Sequence, residues 1–200
     1  LGESPVQPLL AVSRLIDAAN ARIGRLASWL VPAAVLVSAG NAVMRKSFDL
    51  SSNAWLELQW YMFAALFLLS GGATLLKQEH VRIDVIYSRF GRRTQIWIDL
   101  FGTLFFLLPT ALLMLWLSWP FFAEALHSGE RSVNAGGLIL WPAKGLIPLG
   151  FLLLALQGVS EFVKRVAFLR GAGPDPAAGA ERPAELELVD ALRTQTQEPS

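Results

Sequence analysis

Four long stretches of this chain carry no charged side chain, and they limit what it can fold into. Leu26–Met44 and Leu58–Leu76 are each uncharged over 19 residues, Leu100–Ala123 over 24, and Gly145–Ser160 over 16. A hydrocarbon layer of about 30 Å needs about 20 apolar residues in a helix. The fourth stretch extends over Pro142–Val163, because Lys144 near one end can snorkel to the headgroups and Glu161 lies near the other. All four are apolar on every face, whereas a soluble bundle needs a polar side on each helix. The chain is therefore read as all-α, a four-transmembrane-helix membrane protein with helices at about 24–44, 55–77, 96–120 and 142–164. The first span lacks a convincing cleavage site and is read as retained rather than as a signal peptide.

Composition agrees where it bears on function. Charged residues make up 16 % of the chain, against about 25 % in an average soluble domain. A net charge of +1 gives no basis for binding nucleic acid. The chain has no cysteine, so thiolate metal sites, thiol nucleophiles and disulfides are excluded.

Basic residues set the orientation. Arg14, Arg22 and Arg25 precede the first span; Lys77, Arg82, Arg89, Arg92 and Arg93 follow the second; Lys164, Arg165, Arg170, Arg182 and Arg193 lie at or beyond the end of the fourth. That side carries 13 basic residues, against Arg45, Lys46, Arg131 and Lys144 on the other. The positive-inside rule puts both termini in the cytoplasm. Trp29 and Trp97 then fall near inner ends, and Trp55, Trp60, Trp116, Trp119 and Trp141 near outer ends, at the headgroup level that indole prefers.

Three regions flank or join these spans. Residues 1–23 form an N-terminal segment in which Leu9, Val12, Leu15, Ile16, Ala19 and Ile23 share a helical face, as expected of an amphipathic helix in the cytoplasmic interface. Residues 24–168 form the four-helix domain, and 169–200 a flexible cytoplasmic tail rich in Pro, Gly and Ala. Within that tail, Leu186, Val189 and Leu192 could share one side of a short helix. The loop His80-Val81-Arg82-Ile83-Asp84-Val85 alternates like a strand but is read as a short surface helix or a turn. Pro32 and Pro109 are expected to kink the first and third spans.

Chemistry is scarce. His80 and His127 fall on opposite sides of the membrane and cannot share a metal or a haem. No hydrolase, zincin or phosphate-loop motif occurs. Independent transport calls for polar groups at mid-depth, yet Glu57, Asp99 and Glu161 lie near span ends and only Gln157, Asn41 and some hydroxyls go deeper. Small residues at 70–74, with Gly145, Gly150 and Gly158, suit close helix packing, either within the bundle or with another membrane protein. Glu57 is expected either to pair with Arg45 or Lys144, and so fix the packing of three helices, or to remain a solvated charge.

Several short motifs together resemble a known family. They are Asn41-x-x-x-Arg45, Trp55-Leu56-Glu57-Leu58-Gln59-Trp60, His80-Val81-Arg82-Ile83-Asp84-Val85, Ser118-Trp119-x-x-Phe122, and Trp141-Pro142-x-Lys144 with Pro148-x-Gly150 and Leu156-Gln157-Gly158. Over roughly residues 20–168 the chain resembles the DctQ-like small permease subunit of TRAP (tripartite ATP-independent periplasmic) transporters. The resemblance implies a non-enzymatic subunit of the bacterial inner membrane, without cofactor. It implies that this subunit scaffolds a large permease subunit for ion-coupled uptake of an organic acid or related solute. A periplasmic substrate-binding protein and membrane lipids would be its other partners. The candidate packing or partner contacts are Asn41, Arg45, Glu57, Trp60, His80, Asp84, Lys144 and Gln157. The alternative is a stand-alone four-helix membrane protein, either a small exporter or an assembly factor.

Overall fold

The computed structural model describes residues 6–49, 52–77 and 90–173. The loop containing His80 and Asp84, and the tail containing Leu186, Val189 and Leu192, lie outside the described residues. Among the described residues the α-helices are, in chain order, α1 Val6–Ser28, α2 Leu30–Phe48, α3 Asn53–Leu76, α4 Arg92–Gly102, α5 Leu108–Ser128 and α6 Trp141–Leu169. A π-helical segment, Thr103–Leu107, joins α4 to α5. Four helical stretches are long and apolar enough to cross a membrane: Gln7–Phe48, Asn53–Leu76, Arg92–Ser128 and Trp141–Leu169.

Proline and cap chemistry explain the breaks. The helix is interrupted at Trp29, three residues before Pro32. Pro32 has no N–H to give the Ser28 carbonyl, and its ring crowds that carbonyl. Pro109 acts in the same way on the third span. The carbonyl it displaces belongs to Phe105, inside the π segment, where the Leu108 N–H instead reaches back five residues to Thr103 O. Ser52 caps α3, its hydroxyl accepting from the Ala54 N–H at 3.3 Å. Gly129 ends α5 in the left-handed conformation at φ 61°. Pro142 sits in the first turn of α6, where its missing N–H costs nothing. The third span thus runs on to Ser128, well past residue 120, because Pro120 in its interior does not stop it.

α6 is the hub, packing against α1, α3, α5 and the end of α4. In its most apolar stretch 44 % of residues are buried, against 11 %, 11 % and 17 % in the other three spans, so the bundle is built around it. Most of what α6 buries is small or polar, Gly150, Ala155, Gly158, Ser160 and Ala167 with Gln157, Glu161 and Arg165, beside Pro148 and one large apolar residue, Leu153. Most large apolar side chains point outward, Phe67, Trp116, Trp60 and Leu36 among them, with Ile96, Leu100 and Leu153 buried, and all seven tryptophans are exposed. This inverts a soluble core and matches a bundle whose solvent is lipid.

Close approach depends on missing side chains. A Cβ on Gly150 would lie 2.8 Å from both the Cβ and the carbonyl oxygen of Leu68 on α3. Backbone cannot yield as a side chain can, so Gly150→Ala should force α3 and α6 apart, at a cost of about 1–3 kcal/mol. Gly40 faces open space, so Gly40→Ala should be neutral or mildly stabilising. Thermal unfolding of both variants in detergent checks the contrast: a lower Tm for Gly150→Ala and none for Gly40→Ala.

Candidate functional site

Two polar clusters stand out, one toward each end of the bundle. The inner cluster begins with three residues on one face of α1: Ser13, Asp17 and Asn20, spaced by four and three. That face lies against α6 and α3, burying Ser13 and Asn20. The apolar residues Val12, Leu15 and Leu26 are left exposed beside it, as are Arg14, Arg22 and Arg25. α6 answers with Gln157, Ser160, Glu161 and Lys164, which share a face at helical spacing.

The hydrogen bonds form one connected seam. Asn20 Nδ2 donates to Gln157 Oε1 at 2.9 Å. Gln157 Nε2 donates to Asp17 Oδ1 at 2.8 Å and to Glu161 Oε1 at 3.3 Å. Carboxylates only accept, so they dictate which way the Gln157 amide points. Ser160 Oγ donates to Asp17 Oδ1 at 2.7 Å. Lys164 Nζ bridges Asp17 Oδ2, at 3.0 Å, and Glu161 Oε1. Arg165 Nη1 reaches Glu161 Oε2 at 2.8 Å, and its Nε reaches Asp99 Oδ2 on α4 at 3.4 Å. The Glu161 side chain is only 1 % exposed; a charge that deep persists only when paired. The seam joins α1, α4 and α6. Its carboxylates and cations satisfy one another.

The outer cluster is a clamp on Glu57 of α3. Its Oε1 accepts from Ser132 Oγ and from Asn134 Nδ2 at 2.9 Å, and its Oε2 accepts from the Leu138 N–H at 2.7 Å. Asn53 Nδ2 donates to Ala135 O at 3.1 Å, and Tyr61 OH to Ile139 O at 2.9 Å. Three residues one helical turn apart on α3 therefore hold the connection between α5 and α6. That connection is itself pinched by a bridge between Arg131 and Ile139. The expected pairing of Glu57 with Arg45 or Lys144 is not what forms. Lys144 instead pairs with Glu130 and lies 4.1 Å from the centre of the Phe121 ring. The connection between α5 and α6 returns Glu130 to the start of α6, where it meets Lys144.

The remaining candidates separate. Gln157 is fully buried in the inner seam. Asn41 is partly buried on α2, its Oδ1 meeting no donor among the described residues. Arg45 is exposed near the end of α2, and Trp60 is 76 % exposed on the outside of α3. His80 and Asp84 are outside the described residues. Asp17, Asn20, Ser160, Lys164 and Arg165 were not among the sequence candidates. Their signal was present as a polar stripe on α1 and a matching one on α6. Among the described residues no group of three His, Cys, Asp or Glu side chains is placed to hold a metal.

Removing Glu161 takes their shared partner from the buried Arg165 and the partly buried Lys164. Glu161→Leu should destabilise the bundle by about 3 kcal/mol, the usual cost of breaking a buried pair from one side. Asp17→Asn keeps an acceptor for Ser160 and should cost less. Unfolding midpoints in detergent order the two variants. At the outer end, Glu57→Ala should speed hydrogen exchange at the Leu138 amide by about tenfold or more while leaving exchange in α6 unchanged. Equal protection of Leu138 in both proteins would dismiss the clamp.

A family model described as "Tripartite ATP-independent periplasmic transporters, DctQ component" matches residues 34–168. No curated protein matches the chain. The matched region holds the outer clamp and the α4 and α6 parts of the inner seam, while α1 precedes it.

Proposed function

The chain belongs to the DctQ component family of the tripartite ATP-independent periplasmic transporters, and on that premise we propose that it pairs with a large permease subunit and scaffolds it in the bilayer. A transporter's small membrane component needs no catalytic centre. On this reading the large subunit carries the coupling ions and an organic acid or related solute, delivered by a periplasmic substrate-binding protein. The chain resides in the bacterial inner membrane with both termini in the cytoplasm. α1 lies in the cytoplasmic interface, with Arg14, Arg22 and Arg25 toward the headgroups.

The observation that supports the scaffold reading best is the state of the membrane acid. A transporting carboxylate must change partners as it cycles. Glu161 is enclosed by Gln157, Lys164 and Arg165, and these tie its helix to α1 and α4. Such a group holds helices still. The exposed tip of the outer connection, with Val133 fully exposed, is held in place by Glu57 and suits contact with a soluble partner on that side.

Co-expression with the large permease subunit tests the pairing. The tagged chain should retain that subunit through purification, and both should be needed for solute uptake in proteoliposomes. A chain that purifies alone and catalyses flux by itself would be the stand-alone exporter instead. The lack of cysteine makes topology easy to read with single substitutions. Val133→Cys should react with an impermeant maleimide in intact spheroplasts, and Ala172→Cys only after permeabilisation.

A further inference from the structure

α3 and the third span both pack on α6, and a groove lies between them. Its outer part, about 930 Å³, is walled by Phe63, Phe67 and Gly71 of α3 and floored by Gly150, Phe151 and Leu154 of α6. Its inner part, about 560 Å³, is walled by Gly102, Thr103, Phe106 and Thr110 of the third span. Phe151 and Leu154 line both parts, so the groove is continuous. From Phe63 to Leu75 it follows α3 for about three turns, roughly 18 Å at 1.5 Å per residue. That is more than half of a hydrocarbon layer of about 30 Å.

The polar side chains that line this groove are of two kinds. Asp99 and Arg165 meet at its inner end, 3.4 Å apart, and Arg165 is held by Glu161 as well, so that end offers no spare cation to a lipid headgroup. The others are hydroxyls. Thr74 Oγ1 donates to the Ser70 carbonyl at 3.0 Å, the usual recourse of a hydroxyl on a helix. The hydroxyls of Thr103 and Thr110 meet no partner among the described residues. Thr103 is only 8 % exposed, and it opens on the groove. Thr110 lies well inside the uncharged stretch Leu100–Ala123. An unpaired hydroxyl in hydrocarbon is costly, and acyl chains have nothing to pair with it. Each wall also carries a bare place: Gly71 and Gly102 have nothing within 4 Å of a Cβ position, so a helix backbone can approach closely from either side.

We propose that this groove seats one transmembrane helix of the large permease subunit, uncharged along its buried length and presenting Ser, Thr, Asn or Gln side chains to Thr103 and Thr110. The inference rests on the pairing proposed above and adds the face on which it occurs. A phospholipid would fill the groove but leave both hydroxyls unpaired and find no spare cation at the inner end. A second copy of this chain, related by a two-fold axis, would set groove against groove and leave a void between them. A helix from another chain fills the hollow and brings hydrogen-bonding groups to the depth where they are missing.

Co-purification of the tagged full chain with the co-expressed large permease subunit tests it, alongside Tm and native mass spectrometry of the chain alone. Wild type should retain the large subunit. Gly71→Trp and Gly102→Trp fill the groove from its two walls, so each should lower retention by about tenfold or more, while the chain alone keeps its Tm and stays monodisperse. Gly40→Trp on α2, at an equally open position, should leave retention unchanged. Thr103→Val with Thr110→Val keeps the shape and removes both hydroxyls. A hydrogen bond between membrane helices contributes about threefold in affinity, so this pair should weaken retention about tenfold. It should not lower the Tm of the chain alone, which makes no bond to either hydroxyl. Retention that is equal in wild type, Gly71→Trp and Gly102→Trp would overturn the inference and leave the pairing standing; no retention by wild type would overturn both. Three further results would overturn the inference alone. They are equal loss in Gly40→Trp, a phospholipid on the wild-type chain that Gly71→Trp expels without loss of the large subunit, or a dimer of the chain that Gly71→Trp dissociates.

Discussion

The ion pairs around Glu161 are the contact on which the rest of the bundle depends. In water, helices associate because apolar faces leave solvent. Inside a bilayer that drive is absent, since lipid tails are as apolar as leucine. What distinguishes a correct helix neighbour from a wrong one is then close packing and satisfied polar groups. Glu161 is almost completely buried and can stay charged only beside Lys164, Arg165 and Gln157. Those residues in turn need Asp17 on α1 and Asp99 on α4. Rotating α1 by one residue would carry Asp17 and Asn20 away from their partners by about 100°. The seam therefore fixes register as well as adhesion, and the small residues of α6 let its neighbours come close enough to use it.

The two ends of the bundle solve the same problem with different chemistry. The inner seam sits among helices, whose backbone groups are already spent on the helical ladder, so side-chain cations must satisfy its acids. The outer clamp faces an irregular connection with a spare backbone N–H at Leu138 and small polar side chains at Ser132 and Asn134. A carboxylate there can be satisfied without a cation. This leaves Lys144 to Glu130, so the connection is pinned from α3 and from the start of α6 at once. It is a shaped element with an exposed tip rather than a slack tether.

Run length made the four spans legible, because bilayer thickness sets it directly. Pro32 and Pro109 marked the places where the helical ladder changes, and both changes lie within four residues of the proline or include the carbonyl it displaces. Small residues at Gly72, Gly150 and Gly158 marked contacts, and each faces a neighbouring helix within the chain. Side-chain partnership was not legible. Charge and depth put Glu57, Arg45 and Lys144 at one level, but they do not say that a hairpin returns Glu130 to Lys144 and presents neutral donors to Glu57. α1 hid its packing face for another reason. Apolar residues normally identify the face that packs, yet in a lipid-solvated bundle the polar and small residues pack while Val12, Leu15 and Leu26 remain outside.

That inversion bears on where the functional unit begins. The family match starts at residue 34, after α1 has ended. Asp17 and Asn20 nevertheless complete a network whose other members lie inside the matched region, on α6. Without α1, Gln157 would lose its Asn20 donor, Lys164 would keep only Glu161, and Gly72 would face lipid instead of the Asn20 side chain. Each of these groups would then need water or another protein as its partner. α1 is therefore part of the bundle's frame, not an appendage to it. A helix held by a connected set of buried hydrogen bonds and ion pairs resists sliding more than one held by lipid-facing leucines.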